Sequence, residues 1–325
     1  MIIVTGGAGF IGSAIVWRLN QLGRNDIYIV DELGTDEKWK NLVGLDFNDF
    51  INKDVFLNRW VDELVTLDAT AIIHMGANSS TTEKDADYLL KNNYKYTAAV
   101  ARAALWNEIR FIYASSAATY GDGKLGFKDD EKLIPKLRPL NMYGYSKNLF
   151  DHYALKEGFL KNIAGIKFFN VYGPNEYHKG DMRSVVHKAF GQIMETGAVK
   201  LFKSKNPRYK DGEQLRDFIY VKDAVDMTLH FLLKNKKAGG LFNVGTGKSR
   251  HWNDLVKAIF KALNKPVNID YIELPAHLEK KYQYFTEADI TKIRAAGYKK
   301  KITSLEAGVK DYVQNYLLKE KYLEK

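Results

Sequence analysis

Short apolar runs alternate with longer stretches of helical periodicity through the first half of the chain. The runs IIVT (2–5), IYIVD (27–31), AIIH (71–74), RFIYAS (110–115) and GIKFFNV (165–171) are apolar on consecutive positions. That is the pattern of strands buried on both faces. The stretches between them, such as SAIVWRLNQLG after the first run, repeat with the period of a helix. Strand and helix alternating at this spacing imply parallel pairing through right-handed crossovers, hence an α/β fold with a doubly wound parallel sheet. The regularity loosens after residue 171, where 175–215 is rich in Lys, Gly, Asn and Pro, and strand character returns at GLFNVGTG (240–247). The expected organisation is a dinucleotide-binding Rossmann domain from 1–171 plus 216–245. A smaller α/β substrate domain from 172–215 plus 246–325 would close over its ligand edge.

Composition narrows the class. The 325 residues are 46% hydrophobic and 13% aromatic, enough for a full globular core. The absence of cysteine excludes disulfides, thiolate metal sites and a cysteine nucleophile, and fits a reducing cytoplasm. The start MIIVTGGAGF carries no basic leader, and no apolar run approaches the ~18 residues that span a bilayer, so a cytoplasmic protein without a membrane partner is expected. The net charge of +10 comes from lysines spread along the whole chain, without a zinc-finger, helix-turn-helix or aromatic RNA-binding signature. It fits a phosphate-rich small ligand and gives no support to a nucleic-acid partner. Seven histidines are scattered with no H-x-x-x-H spacing, so no metal site is expected.

The first strand runs into Gly6-Gly-Ala-Gly9-Phe-Ile-Gly12 and then a helix. In that context glycines mark a dinucleotide site: Gly6 for the turn, Gly9 for close approach to a pyrophosphate, Gly12 for helix and strand packing. Asp31 ends the second strand, where an acid usually receives the ribose hydroxyls of NAD. Lys38 and Lys53 lie downstream, where they could neutralise the 2′-phosphate of NADP.

The stretch NMYGYSK (141–147) holds two tyrosines and a lysine. Tyr143 and Lys147 stand four apart and share a helix face; Tyr145 and Lys147 do not. A second Tyr-x-x-x-Lys match, Tyr120 to Lys124, runs through two glycines and reads as a loop. The fifth strand ends in YASSAATYG (113–121), which puts hydroxyls at the carboxyl end of the sheet, where ligands bind in open parallel folds.

TGGAGFIG, YASSAATYG and YGYSK in this order resemble the extended short-chain dehydrogenase/reductase family of nucleotide-sugar enzymes. Within it, HMGANSSTTEKD (74–85), FFNVYGPNEYHKG (168–180), RDFIYVKD (216–223) and YQYFTEADITKIRAAGY (282–298) are similar to the ADP-glyceromanno-heptose 6-epimerases, almost end to end. The resemblance implies an isomerase that inverts C6 of an ADP-activated heptose, for lipopolysaccharide core, by transient oxidation. It implies bound NADP rather than NAD, and a homopentamer or decamer.

Carried over, Tyr143 is the acid/base, Lys147 its partner, Ser116 a hydrogen-bond donor to the reacting oxygen, and Lys179 the second acid/base. Spacing alone leaves His178 as an alternative to Lys179. The expected cofactor contacts are Gly6, Gly9, Phe10, Ile11, Gly12, Asp31, Glu32, Lys38, Lys53, Met75, Gly76, Ala77, Asn78, Ser79, Asn92, Lys147, Val171 and Lys179. The expected substrate contacts are Ser116, Asn170, Asp181, Lys188, Phe202, Arg216 and Tyr282. Two stretches depart from the family pattern: Met75 stands where an acid is common, and KSKNPRYKDGEQL (203–215) is longer than expected.

Other readings follow from the same motifs. A 4,6-dehydratase needs an acid and a base straight after Ser116, where this chain has Ala117 and Ala118. A UDP-sugar 4-epimerase needs only the same triad and stays open. A non-catalytic dinucleotide sensor has no need of Ser116, Tyr143 and Lys147 together.

Overall fold

The computed structural model describes residues 1–60, 68–279 and 282–325. Twelve strands are found among them: β1 Ile2–Thr5, β2 Ile27–Asp31, β3 Asp49–Asn52, β4 Ala71–His74, β5 Arg110–Ser116, β6 Ala164–Phe168, β7 Asn170–Tyr172, β8 Val199–Phe202, β9 Leu215–Tyr220, β10 Gly240–Val244, β11 Ser249–His251 and β12 Ile269–Ile272. Seven form one parallel sheet in the order β10-β6-β5-β4-β1-β2-β3. Every residue of β1, β4 and β6 is buried, as consecutive apolar positions between two helical layers require.

The helices Phe10–Gln21 and Val221–Leu233 lie against one face, where Ile15, Val16, Met227 and Phe231 meet Val4, Ile29 and Phe242 in one core. The helices Tyr96–Trp106 and Met142–Lys156 close the other face around Ile3, Ile72, Phe111 and Tyr113. β1 is the switch point, because the chain winds outward through β2 and β3 on one side and through β4, β5 and β6 on the other. The carboxyl ends of the strands beside it open a crevice, the usual ligand position in such sheets.

Two expectations change here. The run GIKFFNV is not one strand. β6 stops at Phe168, the Phe169 N–H donates to the Val244 carbonyl, and β7 joins a separate three-stranded sheet in the order β11-β9-β7. The sequence also hides β3, an edge strand with one buried residue, Ile51. β8 and β12 form a further two-stranded sheet. Among the described residues no helix is long and apolar enough to cross a membrane.

Candidate active site

The turn from β1 into the Phe10–Gln21 helix is fixed by two glycines. Gly6 has φ +65°, and a Cβ there would sit 2.6 Å from the Gly76 nitrogen; a Cβ on Gly12 would run into the Gly6 carbonyl. Gly9 caps the helix without a side-chain hydrogen bond, and no acidic residue stands in the first turn. The N–H groups and positive dipole end are therefore left for an anion. They open on a cavity of about 570 Å³.

That cavity brings together most of the expected cofactor contacts: Gly6, Gly9, Phe10, Ile11, Gly12, Asp31, Lys38, Met75, Gly76, Ala77, Asn78, Ser79, Lys147, Val171 and Lys179. A neighbouring cavity of about 360 Å³ adds Glu32, Lys53 and Asn92. Asp31 is already engaged. Its Oδ2 accepts from the Ala8 N–H at 2.9 Å, and its Oδ1 from the Glu32 N–H at 2.7 Å and from Lys38 Nζ at 2.9 Å. Lys53 pairs with Glu32 at 2.5 Å. A crevice of this shape, with an uncapped helix end at one side and two lysines at the other, fits a nicotinamide dinucleotide.

The Met142–Lys156 helix begins where Asn141 accepts the Gly144 N–H at 2.8 Å, so the next residue to face the crevice is Tyr143. Tyr143 and Lys147 both line the cavity, while Tyr145 on the other side of the helix is 46% exposed. Ser116, at the end of β5, lines the same cavity beside Tyr143. Enclosure pushes the phenol up from its ordinary value, and the serine opposes that shift. Lys147 is buried, donates to the Ala114 carbonyl at 2.8 Å, and is brought down to about 8 by that burial. The loop pair differs: Tyr120 is buried on Asn243 and the Lys124 side chain is 86% exposed.

Lys179 and His178 enter the same cavity on the Tyr177–Met182 segment. Lys179 Nζ lies 5.0 Å from the Phe10 ring centre, and no carboxylate pairs with it among the described residues. Burial lowers its pKa, Glu176 raises it, and Lys188 lowers it. Glu176 is spent elsewhere, on Ser184 at 2.6 Å and Tyr312 at 3.0 Å. His178 is brought down to about 4 by burial. Its Nδ1 lies 3.1 Å from the Asn41 amide nitrogen, which also donates to the Ala8 carbonyl at 2.9 Å. A carbonyl only accepts, so the amide NH2 faces both groups and His178 Nδ1 accepts. The neutral ring then carries its proton on Nε2 and offers a donor, not a base.

Of the expected substrate contacts, Ser116 and Asn170 line the main cavity, and a smaller one of about 220 Å³ beside it is lined by both with Gln283 and Thr286. Arg216 is buried on β9 between the rings of Trp252, at 5.5 Å, and Tyr282, at 5.4 Å. Its fork donates to the carbonyls of Leu215 and Gln283, and no carboxylate neutralises it among the described residues. Asp181 and Lys188 are exposed, and neither they nor Phe202 line the cavities. The long 203–215 segment folds on itself through Ser204 and Asp211, and its Tyr209 stacks on Tyr284 at 5.7 Å. Asn41, Thr81, Met182, Phe168 and Phe169 line or brace the site without having been singled out in the sequence. Thr81, Phe168 and Phe169 stand within HMGANSSTTEKD and FFNVYGPNEYHKG without an assigned role, whereas Asn41 and Met182 lie outside those stretches and reach the crevice through the topology.

The geometry agrees with known proteins. Residues 2–245 match the model of the NAD dependent epimerase/dehydratase family. The chain is 55% identical to the ADP-L-glycero-D-manno-heptose-6-epimerase of Nitratidesulfovibrio vulgaris over 98% of both chains. It is 52% identical to the protein of that name from Fusobacterium nucleatum, over 98% of this chain and 99% of the other. The crystal structure of the Helicobacter pylori ADP-L-glycero-D-manno-heptose-6-epimerase superimposes with TM-score 0.81 at 28% identity, covering 97% of this chain and 95% of that one.

Proposed function

We infer the function from one premise: the chain belongs to the NAD dependent epimerase/dehydratase family. Its relatives are 6-epimerases of an ADP-activated heptose, and its crevice supports the same reaction, inversion of C6 in ADP-D-glycero-D-manno-heptose. The observation that carries the reading is that Tyr143, beside Ser116, and Lys179, a half-buried amine with no carboxylate partner among the described residues, share one cavity. Inversion moves the C6 oxygen from one side to the other, so a single proton-transfer group does not serve both positions.

Bound along the glycine turn and the two lysines, a nicotinamide dinucleotide supplies a reversible store for one hydride. The protein's share is the proton. Tyr143 Oη, beside Ser116, exchanges it with the C6 oxygen in one orientation, and Lys179 Nζ in the other. A lowered pKa leaves more of Lys179 as free amine at neutral pH, which is the form that accepts a proton. His178 Nε2–H is a donor beside them and orients the sugar. Ala117 and Ala118 carry no proton-transfer group, so the ketone is not dehydrated. Arg216, with no carboxylate partner among the described residues, takes the diphosphate of the sugar nucleotide, its N–H groups exchanging the Leu215 and Gln283 carbonyls for the anion. Equilibration of the two C6 epimers by the isolated protein tests this reading.

The dinucleotide is NADP. Asp31, the residue that would take ribose hydroxyls, has both oxygens engaged, and Lys38 and Lys53 line the cavity beside it. A 2′-phosphate draws these two ammonium groups to itself. Replacing Lys38 and Lys53 together by methionine is expected to weaken NADP by roughly 10- to 100-fold while leaving NAD within a few-fold. Equal losses for both, measured by calorimetry, would contradict the assignment. The molecule works as a cytoplasmic homo-oligomer, and light scattering of the purified protein is the check on the assembly.

A further inference from the structure

Beneath the proton-transfer groups lies an ion pair that the chemistry above does not use. Asp151 and Lys167 meet at 2.7 Å with side chains 0% and 1% exposed. Asp151 stands on the helix of Tyr143 and Lys147, one turn past the lysine; Lys167 stands on β6. Asp151 also accepts from Tyr113 at 2.9 Å and from Ser115 at 2.7 Å, both on β5. Lys167 donates to the Thr119 hydroxyl at 2.6 Å, and Thr119 donates to the Ser116 carbonyl at 2.7 Å. An unbroken chain of contacts therefore joins the helix of Tyr143 and Lys147 to the backbone of Ser116.

We propose that Asp151 and Lys167 are positioning residues: the pair locks the Met142–Lys156 helix against the Ser116 turn, and Lys167 holds the Asp151 carboxylate in place beneath Tyr143 and Lys147. The proposal rests on the epimerase reading. A buried pair is weak evidence for stability as such, since apolar residues of like size often serve as well.

The groups facing Tyr143 and Lys147 are few. From β4 comes His74, neutral in a buried site between Thr5 and Thr97. From β5 come Tyr113 and Ser115, from the following turn Thr119 and Tyr120, from β6 Lys167, and from across the cavity His178 and Lys179. Among the described residues the full charges nearby are Asp151 on the same helix, Lys167 beneath it and Lys179 across the cavity. The Asp151 charge raises both Lys147 and Tyr143. Removing one partner therefore moves both groups, with a sign fixed by which charge remains. Lys167→Met leaves a lone carboxylate, which favours the ammonium and disfavours the phenolate, so both pKa values rise. Asp151→Asn leaves a lone ammonium, and both fall.

The test is the pH profile of epimerisation together with the pH dependence of trace acetylation at Lys147, read by mass spectrometry, in the two single variants and the double variant. The expected result is a shift to higher pH in Lys167→Met, a shift of about one unit to lower pH in Asp151→Asn, and a smaller shift to lower pH in the double variant, which has lost the carboxylate that raises both groups. Shifts of the same sign, or loss of melting temperature with no shift, would overturn the proposal and leave the pair a packing feature. Should the single variants not fold, Thr119→Val keeps both charges and breaks only the link to Ser116. It is expected to lower kcat about tenfold at unchanged KM with Lys147 titrating as in wild type, and an unchanged kcat would overturn the positioning role. If the wild-type protein does not epimerise the heptose, the epimerase reading fails, while the Lys147 titration still decides the electrostatic role of the pair.

Discussion

Replacing Tyr143 by phenylalanine is expected to lower kcat by roughly 10²- to 10⁴-fold, the usual contribution of a positioned acid/base group. The substitution removes one oxygen and little else. The ring faces the cavity rather than the core, and the neighbouring Ser116 Oγ keeps its own partner in the Ala118 N–H at 3.1 Å. The helix cap at Asn141 and the Lys147 bond to Ala114 do not involve the phenol. The variant should therefore fold, melt near the wild-type temperature and keep its bound dinucleotide. Steady-state rates and the dinucleotide content of the purified variant are the measurements, and retention of more than a tenth of the wild-type kcat would mean that the C6 proton moves elsewhere.

A loss of the same order is expected from Lys179→Met, with His178→Gln costing less than about tenfold. Methionine keeps the apolar stem that passes over Phe10 and deletes the amine. Among the described residues no carboxylate hydrogen-bonds Lys179, but the buried Glu176 is steadied by its charge, so the variant is also expected to melt somewhat below the wild type. His178 is tied through Nδ1 to Asn41, whose NH2 also serves the Ala8 carbonyl, so the imidazole has no free lone pair to act as a base. The kinetics of the two variants at one pH settle the order. A crippled His178→Gln beside an active Lys179→Met would reverse the assignment.

The sequence makes the sheet legible where strands are buried on both faces. β1, β2, β4 and β10 are consecutive apolar runs and were readable as such, as was β5 through its first six residues. The same rule fails at GIKFFNV, because apolar residues in series say that a segment is buried but not in which sheet, and the chain changes sheets at Phe169. It fails at DFIN for the opposite reason, since an edge strand half in water shows no apolar run. In the site, the i, i+4 spacing puts Tyr143, and not the exposed Tyr145, on the face of Lys147, and both line the cavity; the role of Tyr143 came from the resemblance and not from the spacing. The glycine turn was readable because each glycine answers a local steric demand. Sequence alone left Lys179 and His178 open, and the contact that ties up His178 Nδ1 comes from Asn41, more than a hundred residues away and buried for reasons no motif records. Asp151 and Lys167 were equally hidden: a charged residue in a helix and another in a strand read as surface until the fold presses them together.

The central claim is inversion at C6 by a protein that carries its own hydride store. The most direct measurement is to mix the purified protein, with no added reductant, with ADP-D-glycero-D-manno-heptose and to resolve the two C6 epimers by NMR. The account predicts that the mixture approaches an equilibrium of both epimers, with no dehydrated sugar and no net consumption of dinucleotide. An unchanged heptose, in the presence of a protein that still binds the dinucleotide, would contradict it.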